Sequence, residues 1–126
     1  MSDTTFYTTI AATDTLSESR ATMNANWGAS RKLTTAAKTT TYTAADEDVI
    51  LCDASGGAFS VTLPAVASSA GQVYTIKKTD SGGNAVTIDG DGSETIDGAT
   101  TKALASQYKY ATVACDGAVW WIIADN

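Results

Sequence analysis

Histidine is absent from the 126 residues, and proline occurs once, at Pro64. Without histidine the commonest general base near neutral pH and the commonest zinc ligand are missing, which excludes His-dependent triads and His-ligated zinc hydrolase sites. Cysteine occurs only at Cys52 and Cys115, each inside an apolar run where a small buried thiol is the ordinary expectation and a disulfide the less favoured one. Basic residues are scarce: eight Lys and Arg stand against fourteen Asp and Glu, for a net charge of −6. Nucleic acid and anionic membrane surfaces are bound through clustered Lys and Arg, so neither is expected as a partner. No apolar run approaches the length of a membrane span. The N-terminal "MSDTTFYTTIAATD" lacks the basic start and apolar core of a secretory signal, and synthesis in a cytoplasm is the corresponding expectation.

What is present is Thr and Ala, together about a third of the chain. Thr favours strands and Ala fills small gaps, so the composition is that of a folded β protein, and the length suits one compact domain. Charge is uneven along it. Residues 1–38 set Arg20, Arg31, Lys32 and Lys38 against Asp3, Asp14 and Glu18, while the remainder holds four lysines and eleven acids.

The N-terminal part carries the only clear helix signal, in "TLSESRATMNANWG". Thr15 and Glu18 form a capping box, Gly28 supplies a stop, and the spacing predicts a helix from about Leu16 to Trp27. Its apolar stripe, Leu16, Met23 and Trp27, is too thin to hold a lone three-turn helix. It either packs on its own domain or joins a short parallel bundle of identical helices in which Asn26 sets register. The polar "RKLTTAAKTTT" that follows reads as a linker, or as an arm laid on a partner.

Beyond it come short strands at even spacing, "TTTYTA", "DVILCD", "AFSVTLP", "QVYTIKKT", "NAVTIDG", "ETIDG", "TKALAS", "YKYATVAC" and "AVWWIIAD", mostly bounded by Gly, Asp, Ser or Asn. This predicts a mainly β fold: a small antiparallel sandwich or barrel-like domain over 39–126, preceded by an N-terminal helix and arm over 1–38. Asp116-Gly117 suits a tight hairpin that places Val113 opposite Trp120 and Ala111 opposite Ile122. Tyr110, Thr112, Val119, Trp121 and Ile123 then line the other face, so the hairpin is apolar on both sides and a neighbouring subunit is the expected cover, with a loop or the linker as the alternative. "DVILCDASGGAFSVTLP" reads as the same device, with Phe59, Val61 and Leu63 on one face.

Little in the chain carries chemistry. "IDGDGSETIDG" offers Asp89, Asp91, Glu94 and Asp97, but the spacing fails the Ca²⁺-loop pattern at Glu94 and Thr100, and solvated Asp-Gly turns explain it better. A carboxylate pair for glycoside hydrolysis is the weaker reading, because these acids lie on turns with no aromatic cleft beside them in sequence. "SGG" at 55–57 and 81–83 lacks the Lys-Ser/Thr ending and following helix of a phosphate loop. No catalytic, cofactor-binding or metal-ligating set is assigned. Trp120 and Trp121 point to opposite faces of a strand, so at most one serves the core and the other meets an interface, a glycan or water.

The hallmarks "DEDVILCDASGGAFSVTLP", "VYTIKKTD", "AVTIDGDGSETIDGA" and "DGAVWWII" resemble a small β domain found in tailed-phage virion proteins, including head fibres, capsid decorations and tail-fibre pieces. The likeness spans about two thirds of the chain, and "SESRATMNANW" is similar to a short helical motif that precedes such domains. The resemblance implies a structural or adhesive virion protein, commonly a homotrimer, with no catalytic activity and no cofactor. A tail fibre used for recognition has a long shaft and a tip, neither of which is read here. The expectation is therefore a trimeric decoration or head-fibre protein on the outer capsid surface, its partners being itself and the major capsid protein. A tail-fibre module binding a host-surface receptor or carbohydrate is the alternative. Leu16, Arg20, Met23, Asn26 and Trp27 are the candidate oligomer or capsid contacts, and Trp120 and Trp121 the candidate interface or glycan contacts.

Overall fold

A computed structural model of the chain describes residues 32–126. The expected helix and its candidate contacts Leu16, Arg20, Met23, Asn26 and Trp27 lie outside the described residues. Leu33–Asn126 forms a compact β body.

Nine strands build it: β1 (Thr35–Lys38), β2 (Tyr42–Thr43), β3 (Val49–Cys52), β4 (Phe59–Thr62), β5 (Val73–Lys78), β6 (Val86–Asp89), β7 (Thr101–Leu104), β8 (Tyr110–Cys115) and β9 (Trp120–Asp125). They make a five-stranded sheet in the order β1-β3-β5-β8-β9 and a four-stranded sheet in the order β2-β4-β6-β7. The mainly β, sandwich-like architecture is the one the strand pattern predicts.

The pairing is mixed. From β1 to β6 the chain alternates between the sheets, and every same-sheet pair in this stretch is parallel, with Thr35 beside Val49, Val49 beside Thr75, and Val61 beside Ile88. Parallel neighbours need a crossover, and here a strand of the opposite sheet supplies it in place of a helix. The result is a flattened coil. The antiparallel pairs come last, β7 on β6, β8 on β5 and β9 on β8.

Three sequence expectations change accordingly. "DVILCDASGGAFSVTLP" is not a hairpin, because β3 and β4 belong to different sheets, although Phe59, Val61 and Leu63 do share the buried face. Thr35–Lys38, read as linker, is an edge strand: Thr34 and Asp48 exchange hydrogen bonds that lay it against β3, so the β body starts at Leu33 rather than at residue 39. In the terminal hairpin Trp120 lies opposite Cys115 and Val113 opposite Ile122. The turn sits one residue further on than Asp116-Gly117 alone would place it, because Asp116 N–H donates to Val119 O and Gly117 takes the positive φ of 94°. The slip moves partners by two residues, which keeps Val113, Trp120, Trp121 and Ile122 on their predicted faces, while a bulge at Ile123 turns Ala124 outward.

The core lies between the sheets. Ile50, Tyr74, Ile76, Val113 and Trp120 of one sheet meet Val61, Val86, Ile88 and Leu104 of the other, all buried. Cys52 and Cys115 are buried free thiols, and burial pushes Cys52 up to about 12. Lys78 is wholly buried at the end of β5, where its Nζ meets Asp80 at 2.7 Å. The Asp80 carboxylate also accepts the Ala54 and Gly82 N–H groups, and Lys78, then Ala54, holds its carboxyl below the usual range. That pair ties the β3–β4 connection to the β5–β6 connection.

Candidate interaction surface

Alternation along each strand leaves two outer faces, and they differ. On the four-stranded sheet the outward rows run Thr43, Thr62, Asp89, Thr101 and Ser60, Thr87, Ala103. Hydroxyls and a carboxylate dominate, as on a face that meets water. On the five-stranded sheet the outward rows run Thr35, Val49, Thr75, Thr112, Ala124, then Ala37, Leu51, Lys77, Tyr110, then Val73, Ala114, Trp121. Here apolar side chains dominate and no carboxylate occurs at any strand position.

Several polar groups on this second face are engaged within it. Thr75 Oγ1 and Thr112 Oγ1 hydrogen-bond each other at 2.9 Å. The single charge, Lys77, holds its ammonium 5.4 Å from the Tyr108 ring centroid, within cation–π range. Trp121 Nε1–H donates to Asp116 Oδ2 at 2.9 Å, while Asp116 Oδ1 accepts the Ala118 and Val119 N–H groups. Trp121 first, then those two amides, holds the Asp116 carboxyl down to about 2. The indole is thus pinned by its polar edge with its ring 48 % exposed. Beside it Val73 is 42 % exposed, and Ile123, the extra residue of a bulge in β9, is 61 % exposed. Tyr108, also exposed, adopts a left-handed φ of 66°, unusual for a bulky side chain.

Of the two tryptophans named as contacts, only Trp121 reaches the surface. Trp120 is fully buried, 5.7 Å from the Tyr74 ring, and serves the core.

The acidic "IDGDGSETIDG" segment is bound up with backbone work. Glu94 accepts the Val66 N–H at 3.0 Å and Asp97 the Ile122 N–H at 2.9 Å, while a Cβ at Gly90 would run into the Glu94 carbonyl oxygen. Asp89 lies on the outer face of the four-stranded sheet. Among the described residues no three metal-ligating side chains are grouped. An open cleft of about 560 Å³ lies between the β1–β2 and β3–β4 connections, lined by Thr39, Thr40, Thr41, Asp53 and Ser55. It is rich in hydroxyls, but its one aromatic, Phe59, is buried and offers no stacking plate. The Asp53 carboxylate is engaged by Ser55 N–H at 2.9 Å. Among the described residues no helix is long and apolar enough to cross a membrane.

Sequence reasoning found Trp121 through alternation but missed Val49, Leu51 and Val73 as its companions, since Val73 joins it only through the pairing of β5 with β8, and Val49 and Leu51 only through the further parallel pairing of β3 with β5. The terminal hairpin's second apolar face was the signal that pointed there. No protein-family model matches the chain, and no curated protein is similar to it at a significant level.

Proposed function

We propose that this protein is a structural, non-catalytic virion component: a homotrimeric capsid decoration or head-fibre protein bound to the outer capsid surface of a tailed phage and assembled in the host bacterial cytoplasm. The observation that carries this reading is the contrast between acids used up in turns and a sheet face built for contact. Asp80, Glu94, Asp97 and Asp116 each accept backbone N–H groups, so their carboxylates stabilise the scaffold instead of facing a substrate. The resemblance of the strand motifs to phage virion domains supports the same reading. Many small copies bridging capsomers add buried area to a shell under internal pressure, with no chemical step. Residues 1–32 are the proposed shell-contacting part, the β body facing outward.

The test is to add the full-length protein to phage heads lacking it and locate it by electron microscopy. Many copies spread over the head are expected. A few copies at the tail would instead favour a receptor- or carbohydrate-binding module, the second reading, which the half-exposed, pinned indole of Trp121 favours. That reading requires glycan-array binding that Trp121→Ala abolishes in a folded protein.

A further inference from the structure

We infer that the outer face of the five-stranded sheet is where copies of this chain meet one another, with Trp121 as the anchor. The inference rests on the oligomeric part of the proposed function and names its surface.

Parallel strands are rarely left bare on one side. Yet β1, β3 and β5 present Ala37, Val49, Leu51 and Val73 outward, and β8 and β9 continue the face with Ala114 and Trp121. A face meant for water keeps free donors and acceptors. Here the Thr75 and Thr112 hydroxyls bond each other and the Trp121 N–H is committed to Asp116, which leaves fewer free donors around the apolar side chains. Such a face loses little hydration on being covered. A rigid, half-exposed tryptophan next to a small residue is also the form that dominant interface contacts take.

Charge selects the occupant. The chain carries −6, and copies approaching each other by their acidic turns or by the Asp89-bearing sheet would repel. The outward rows of the five-stranded sheet carry one lysine, Lys77, and the face has one carboxylate at its rim, Asp116 beside Trp121, so it is near neutral and copies can meet there without net repulsion. The 26 strand residues of this sheet, at about 3.4 Å each on strands about 4.8 Å apart, give a plan area of roughly 420 Å² per copy. Two copies bury roughly 850 Å² on the strands alone, and the flanking Tyr108 and Asp116 turns bring the contact toward the 1,000 Å² or so that a specific interface needs. Turned toward a three-fold axis, each face touches both neighbours.

The experiment is sedimentation equilibrium of the full chain over a micromolar concentration series, for wild type, Trp121→Lys with Val73→Lys, and Thr62→Lys with Thr87→Lys as a control on the other outer face. Circular dichroism verifies that each variant folds. Wild type is expected at the mass of three chains, the Trp121/Val73 variant with a dissociation constant raised at least about 30-fold, and the control unchanged. A dimer broken by the same pair keeps this inference while overturning the trimer. Three results overturn it: wild type that is monomeric, an oligomer indifferent to the Trp121/Val73 pair, or equal loss in the control. In a monomer, Trp121 shielded from acrylamide would identify the chain's own N-terminal region as the cover. Capsid attachment, measured separately, can fail without touching this result.

Discussion

The two outer faces of the sandwich are built by the same alternation, and they end in opposite chemistry. Inward, both sheets supply large aliphatics, because the shared core requires them. Outward, the four-stranded sheet carries Thr43, Thr62, Thr87 and Asp89, and the five-stranded sheet carries Val49, Leu51, Val73 and Trp121. Folding places no demand on outward positions beyond strand propensity, and Thr and Val satisfy that equally. The difference between them is therefore not a demand of the fold, and the proposed self-association accounts for it: water on one side, a second copy on the other.

The sharpest break in that comparison is between neighbours. Trp120 and Trp121 are adjacent, one inside and one on the contact face. Trp120→Ala opens a cavity in the core and should cost about 3–5 kcal/mol, a large part of the stability of a domain this size. Trp121→Ala loses half-buried area and one hydrogen bond, about 1–2 kcal/mol. Urea denaturation with matched slopes measures both, and equal losses would remove the inside–outside distinction. Among the described residues Trp120 Nε1 has no hydrogen-bond partner, so Trp120→Phe gives up no hydrogen bond and, leaving a smaller cavity, should cost less than Trp120→Ala.

A smaller effect sharpens the contrast by exchanging the faces. Val73→Thr with Ile123→Thr makes the contact face resemble the wet one. Both sites are more than 40 % exposed, so each change should shift stability by no more than about 0.5 kcal/mol while self-association falls. Thr62→Val with Thr87→Val does the reverse and should lower solubility on salt titration. Solubility that is unchanged would mean that apolar content is not what separates the two faces.

Legibility in the sequence followed the range of the interaction. Period-two alternation placed Phe59, Val61 and Leu63 inward and divided Trp120 from Trp121, because burial acts on each strand locally. Pairing direction was not legible. "DASGGA" has the residues of a hairpin turn, and only the tertiary placement of β4 under β6, Val61 beside Ile88, makes it a crossover between sheets. β1 escaped notice because "TAAK" has no apolar alternation and is held at an edge by Thr34 and Asp48. "ETIDG" looked like a strand and is a turn whose Ile96 forms isolated bridges with Ala99 and Trp120. The contact face had the same limit: its halves, Val49–Leu51 and Trp121–Ile123, lie far apart in sequence and are joined only through β5 and β8.

The smallest expected effect concerns the pin that orients Trp121, and it makes the setting of that side chain depend on pH. The Trp121 N–H, then the Val119 and Ala118 N–H groups, hold the Asp116 carboxyl down to about 2, below the roughly 3.9 of an unfolded chain. A folded value below the unfolded one means that the ionised form is the stabilising one. Its contribution is complete above about pH 4 and is lost as pH falls through about 2. Asp80 shifts in the same direction, through Lys78 and then the Ala54 amide, and adds to the loss over the acid range. Asp116→Asn separates the two. At pH 7 the variant should melt slightly below wild type, and the gap should narrow on titration to pH 2, where about half of the wild-type carboxyl is protonated. Because Asp116 is exposed, the gap should also be modest and shrink with added salt. Self-association should weaken over the same acid range, before the body unfolds, since the freed indole no longer presents one orientation to a neighbour. A melting gap that persists undiminished at pH 2 would show that Asp116 acts through turn geometry alone, and that the carboxylate does not hold Trp121 in place.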